Sequence, residues 1–146
     1  MTKQAELYER DFLAWTQEQA ALLKANRLME IDAANLIEEL EDMGRSQRNQ
    51  LISWLGVLLA HLLKWSLQPE LRGNSWKYPI KEQRRRIRRL LDENPSLKNQ
   101  IDPAFQVAYG DAILMAARET GLDEDRFPAD CSCTLAQALD DAYWPD

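Results

Sequence analysis

Apolar residues recur along this chain at helical spacing, and nowhere do they alternate with polar ones long enough to describe a strand. Tyr8, Phe12, Trp15 and Leu22 fall near one face at spacings of four, three and seven, which predicts a first helix from Tyr8 to Ala25. Gln19 interrupts that stripe. Asp32 is a suitable N-cap for a second helix, because its carboxylate can accept from the free N–H groups of the first turn. At 100° per residue, Leu36, Leu40, Met43, Gln47, Trp54, Leu58, His61 and Trp65 lie within about 40° of one direction. One helix spanning the whole stripe is therefore possible, and Gly44 could equally mark a bend or break in it. A glycine there costs up to about 1 kcal/mol, so both readings stay open.

Residues 68–74 (QPELRGN) read as a loop, with Ser75 as the expected cap of a third helix from Trp76 to Glu93. Pro79 falls in its first turn, where a missing N–H is tolerable. Trp76, Ile80, Gln83, Ile87 and Leu90 or Leu91 form its expected inner stripe. Asn94-Pro95 opens a short turn of helix. Asp102-Pro103 starts a fourth long helix that buries Phe105, Tyr109, Ala112 and Ala116 and ends at Gly121. A last short helix follows the Thr134-x-x-Gln137 capping box. The pattern predicts an all-α, antiparallel bundle of about four main helices with a short C-terminal helical extension. It is expected as a single domain over 1–146, with residues 1–7 a loose tail. Trp15, Trp54, Leu58, His61, Trp65, Ile87, Phe105 and Tyr109 are its expected core.

Composition sharpens this picture. With 146 residues, 45% of them apolar, the chain can build one well-buried core. The most apolar stretch, Leu51 to Leu67, carries Ser53, His61 and Lys64 and falls short of the roughly 20 residues a membrane span requires, so a core helix is expected. The N-terminus lacks the pattern of a secretory signal, and a cytoplasmic location follows as an expectation. Cys131 and Cys133 are separated by one residue, so a bridge between them would be strained, and a disulfide framework is not expected. The net charge of −6 is segregated: residues 1–70 sum to −4, residues 71–101 to +6 and residues 102–146 to −8.

Several blocks carry a resemblance. Tyr8-x-x-Asp11-Phe12-x-x-Trp15 is followed by Asp32-x-x-Asn35-Leu36-Ile37-Glu38-Glu39-Leu40-Glu41-Asp42-Met43-Gly44-Arg45-Ser46. His61-Leu62-Leu63-Lys64-Trp65, Ser75-Trp76 and Pro95-Ser96-Leu97 come later. Over residues 8–140 the chain resembles the domain-of-unknown-function family numbered twenty-nine, common in cyanobacteria. The resemblance implies a helical domain standing alone, without an assigned activity. In that pattern the C-terminal cysteine is often followed by proline and an aromatic. Here Ser132 and Cys133 take those places, which weakens any general role for Cys133.

The acidic block Glu38-Glu39-Leu40-Glu41-Asp42 is the first candidate for chemistry, since carboxylates at helical spacing can ligate metals or act as an acid–base pair. Helical angles bring Asn35, Glu39, Asp42 and Ser46 beside the apolar stripe. The plainer reading is that Glu38 and Glu39 complement the helix dipole and Glu41 pairs with Arg45. His61, the single histidine, could complete a polar cluster of Asn35, Glu39, Asp42 and His61, but only if Gly44 breaks the helix. Otherwise it is a core histidine bonded to its surroundings. A di-iron site wants Glu-x-x-His pairs on two helices, and two cysteines fall short of a structural zinc set. No metal and no cofactor is expected. The better-known phosphate, dinucleotide, hydrolase and zinc-protease motifs do not occur, which argues against an enzyme.

The third helix is the strongest local anomaly, with Lys81, Arg84, Arg85, Arg86, Arg88 and Arg89 against one acid, Glu82. Pairing at i,i+4 accounts for Arg86, Arg88 and Arg89 and leaves Lys81, Arg84 and Arg85 as the candidate binding face. A non-enzymatic binding or protein-interaction module is the leading expectation, its partner another protein or a second copy of the chain. Nucleic-acid binding through the arginine helix ranks behind it, because the total charge is acidic. An uncharacterised enzyme using Asn35, Glu39, Asp42 and His61 is the third reading, and no membrane partner is expected.

Overall fold

The computed structural model describes residues 3–146, which are all-α: six helices and no strand among the described residues. They are α1 (Lys3–Arg10), α2 (Phe12–Lys24), α3 (Ala33–Leu67), α4 (Asn74–Glu93), α5 (Ile101–Thr120) and α6 (Leu135–Leu139), with 3₁₀ turns at Pro69–Leu71, Pro95–Asn99 and Glu124–Arg126. Two compact units divide the chain, Met1–Arg45 and Ser46–Asp146, and α3 contributes to both.

In the first unit, the helix expected from Tyr8 to Ala25 is two helices. Asp11 leaves helical geometry at φ −150°, and its carboxylate accepts from the Ala14 N–H, so it caps α2 while ending α1. Residues 3–7, expected as a loose tail, are helical in α1, and Met1 and Thr2 of that tail lie outside the described residues. Trp15 and Leu22 are buried as expected. Gln19, which interrupts the apolar stripe, is buried with them. It accepts from the Asp32 N–H at 2.7 Å and donates to Gln4 at 3.0 Å, so its amide is satisfied in the interior. Asn26 takes the left-handed conformation at φ 58° and turns the chain after α2.

The α3 helix runs through Gly44 without a break. In the second unit its residues Leu51, Leu55, Leu58, Leu59, Leu62 and Leu63 are buried at spacings of four, three and one, a direction slightly rotated from the expected stripe. Leu58 is central. Trp54, His61 and Trp65 lie at the edge of that face and are half-buried. By length and composition α3 could cross a membrane, and half of its most apolar stretch is buried inside the protein.

Small side chains let α3 and α5 approach closely. Gly56 sits where a Cβ would lie 3.7 Å from the Ala108 carbonyl, and Ala104, Ala108, Ala112 and Ala116 form a fully buried stripe at i,i+4 spacing on α5. The Lys64 ammonium, buried on α3, pairs with Glu119 of α5. Gly121 closes α5 in the left-handed conformation at φ 75°, as its position predicts. The Thr134–Gln137 capping box likewise starts α6. The α4 helix begins at Asn74 after Gly73 rather than at the expected Ser75 cap.

Candidate functional site

The residues of α4 bear directly on the binding face expected at Lys81, Arg84 and Arg85. Lys81 and Arg85 are exposed, but Arg84 is completely buried. Its phase explains this, because Ile80, Arg84, Ile87 and Leu91 follow one another at spacings of four, three and four on the inner face of α4. Arg84 donates from Nε to the Ala138 carbonyl at 2.7 Å and from Nη2 to the Tyr143 carbonyl at 2.8 Å, and its guanidinium lies over the Trp144 ring. Arg88 reaches Asp141 at 2.8 Å rather than its i,i+4 neighbour Asp92. The arginine helix thus holds the C-terminal segment, and Arg84 is not available to a partner.

The expected polar cluster is likewise taken apart. Asn35, Glu39 and Asp42 belong to the first unit and His61 to the second, and a shared site required a break at Gly44 that α3 does not have. Asn35 donates to the Asp32 carboxylate at 2.8 Å, which also accepts from the Trp15 indole at 3.1 Å. Asp32 is therefore both the cap of α3 and the anchor of a buried tryptophan. Glu39 accepts from the Tyr8 hydroxyl at 2.5 Å. That bond, then burial and the carboxylates of Glu39, Glu38 and Asp42, push the Tyr8 phenol up to about 12, so it remains a donor. Asp42 is exposed and paired with Arg45. His61 bonds through Nδ1 with the Val57 carbonyl at 2.8 Å, and burial lowers its pKa. No group of three or more metal-ligating side chains occurs among the described residues.

Glu39, which accepts from Tyr8, also lines an apolar concavity of the first unit, a groove of about 450 Å³ between α2 and α3. Phe12, Trp15 and Leu23 of α2 face Leu36, Leu40 and Met43 of α3 across it, with Glu39 in its wall. Tyr8, Phe12 and Trp15 pack ring to ring at centroid distances of 4.8–5.7 Å, which fixes one wall. Leu40 and Met43, expected in the core stripe, are each 64% exposed, and Phe12 is 49% exposed. They were legible as apolar but not as a surface, because helical phase alone does not say where a core ends. The first unit as a whole is negative, with ten acidic and five basic side chains in the sequence of residues 1–45, and Glu39 of its acidic run lines the groove.

A second concavity, about 420 Å³, lies in the second unit against α5 and is walled by Asp102, Phe105, Gln106, Asp130, Cys131 and Cys133. Sequence spacing did not single it out, since the contact between its two sulfurs depends on the loop before α6.

No curated protein and no solved structure was found to match this chain. The family profile described as domain of unknown function DUF29 matches residues 7–144, nearly the whole chain, in agreement with the resemblance carried by the Tyr8–Trp15, Asp32–Ser46 and His61–Trp65 blocks, and the protein belongs to that family.

Proposed function

We propose that the first unit of this protein is an interaction module that binds a basic amphipathic helix of a partner protein. The observation that carries the reading is the groove between α2 and α3, where Phe12, Leu23, Leu40 and Met43 stay accessible around the buried Trp15. Exposed apolar residues gathered in a concavity and rimmed by charge mark a site for another macromolecule. An amphipathic helix fits the groove's shape by laying its i, i+3, i+4 and i+7 side chains between the two walls. The excess of acidic side chains in the first unit selects the partner's charge, because basic residues flanking the apolar stripe are attracted by the negative sum of residues 1–45 and by Glu39 in the groove wall. The same charge disfavours nucleic acid at this surface.

A labelled Leu/Lys helical peptide tests the reading by fluorescence anisotropy, against a scrambled peptide of equal composition and a Leu/Glu analogue. Binding in the micromolar range by the Leu/Lys helix alone is expected. It should fall at least tenfold with Leu40→Asp/Met43→Asp, and stay unchanged with Leu114→Asp, another exposed apolar position, on α5. Equal binding by the double variant removes the groove from the role. Self-association of the wild type that vanishes in the double variant would make the groove a contact between copies instead.

A further inference from the structure

The sulfurs of Cys131 and Cys133 lie 3.5 Å apart, with Ser132 between them exposed. This is hydrogen-bond distance for thiols, and closing it to a covalent S–S separation of about 2 Å calls for only a local adjustment. The two sulfurs are not equivalent. Cys131 is half-buried and Cys133 is buried, and both border the open concavity walled by Asp102, Gln106 and Asp130. Of the two residues lining the concavity, Cys131 is the less buried and so the more accessible to an incoming reagent, with the Cys133 sulfur 3.5 Å from its own.

We propose that Cys131 and Cys133 form a thiol–disulfide exchange site for small cationic disulfides. Cys131, as the thiolate, attacks one sulfur of the substrate R–S–S–R, forms the mixed disulfide Cys131–S–S–R and releases R–S⁻. Cys133 gives up its proton to that leaving thiolate and attacks the Cys131 sulfur, releasing the second R–S⁻, which takes up the proton that Cys131 had lost to solvent. Two protein thiols are thereby oxidised to one disulfide, and one substrate disulfide is reduced to two thiols. The second step is intramolecular over a contact that already exists, so the mixed disulfide does not accumulate.

Three features support the division of roles. Donation of the Cys133 S–H to the Cys131 sulfur brings Cys131 down to about 7, near the value at which an attacking thiol is most effective, whereas that bond and burial push Cys133 up. The Arg84 guanidinium, its Nη1 buried without a hydrogen-bond partner, acts on Cys133, and its charge favours a negative Cys133 sulfur when the bridge is reopened. The ring closed across a single residue is small, and a strained disulfide is a labile one, suited to exchange rather than to structure. The substrate class comes from the wall of the concavity: Asp102 and Asp130 face the approach and no cation lines it, so a disulfide with ammonium arms is drawn in and an anionic one is repelled.

The full-length reduced protein, freed of reductant and kept from air, is mixed with cystamine or with oxidised glutathione, and free thiols and intact mass are followed in time. Cystamine is expected to remove both thiols with a mass loss of two hydrogens and no adduct, at least tenfold faster than oxidised glutathione. Cys133→Ser should stop at a cysteamine adduct on Cys131, and Cys131→Ser should react at least tenfold more slowly. Asp102→Asn/Asp130→Asn should erase the preference for cystamine over oxidised glutathione. Circular dichroism checks that the serine variants keep the helical fold. A stable adduct on the wild type, equal rates for Cys131→Ser, or equal rates for the two disulfides would each overturn the proposal.

Discussion

Arg84 on α4 donates its Nε–H to the backbone carbonyl of Ala138, 54 residues further along the chain, at 2.7 Å. Its Nη2 serves the Tyr143 carbonyl, and its guanidinium stacks on Trp144, which in turn packs on Trp65 at 4.7 Å. One buried cation thus fixes three points of the C-terminal segment in the second unit. Arg84→Ala should cost about 3 kcal/mol, because it strands buried carbonyls as well as removing the charge-assisted bonds. Arg84→Lys should recover little of it, since one ammonium cannot reproduce a planar fork. Urea unfolding measures the loss, and hydrogen exchange should show it concentrated in residues 135–143. Uniform exchange across the chain would contradict the clamp.

Leu58 is fully buried at the middle of the leucine face of α3, within the close-packed core of the second unit. Leu58→Ala should therefore lower unfolding free energy by about 2–5 kcal/mol, through lost burial and the cavity left behind. Leu114→Ala, at a position 55% exposed, should change it by less than about 0.5 kcal/mol. Similar losses at both positions would mean that the register of α3 and α5 is wrong.

These side chains also show what could be read from the sequence. The all-α class was plain because helical spacing, caps and Pro–Gly punctuation agreed, and Gly121 and Thr134 do what their positions predict. The break at Asp11 was equally written, as an aspartate just before an apolar face, but a continuous stripe through Tyr8 and Trp15 outweighed it. Arg84 was read out of the inner face because it is charged, although its phase put it there. Leu40 and Met43 were read into the core because they are apolar, although the described residues of the first unit leave both mostly exposed. Both errors come from one physical fact: periodicity gives direction, while burial depends on what stands opposite. The roles of Asn35 and Glu39 depend on Asp32 and Tyr8 in the same way, because their partners come from tertiary packing.

Gly44 lies inside a continuous helix with no atom near the position its Cβ would occupy. Gly44→Ala should raise stability by up to about 1 kcal/mol, because alanine loses less backbone entropy in a helix. Gly56 is the contrasting case. A Cβ there meets Ala108 and Asp111 at ordinary contact distance, so Gly56→Ala is tolerated, whereas Gly56→Leu should cost about 1–3 kcal/mol by forcing α3 from α5. Thermal unfolding followed by circular dichroism measures all three. A destabilising Gly44→Ala would show that the helix is not continuous there.

Two groups beside each other on the second unit's helices set its response to acid. His61 is held neutral in the folded state by burial, its pKa lying below the ordinary 6.5; the Lys64 charge lowers it further, against the Val57 carbonyl and Glu119. Glu119 is held below its ordinary 4.5, first by the bond from Lys64, against a smaller opposing effect of burial. In both cases the unfolded chain binds more protons than the folded one within the shifted window, so stability rises with pH there. The His61 contribution is complete above pH 6.5 and declines as pH falls from 6.5 through its folded value. The Glu119 contribution is complete above pH 4.5 and is lost as pH falls through its own lower value. Urea midpoints measured across pH should therefore decline in two steps. His61→Gln should flatten the upper step and leave the lower one. Glu119→Gln should remove the lower step and destabilise at neutral pH as well, because the buried Lys64 ammonium then lacks its carboxylate. A wild-type profile flat between pH 6.5 and about 5 would contradict the burial of His61, and an unchanged acid limb in Glu119→Gln would remove the Lys64–Glu119 pair as its cause.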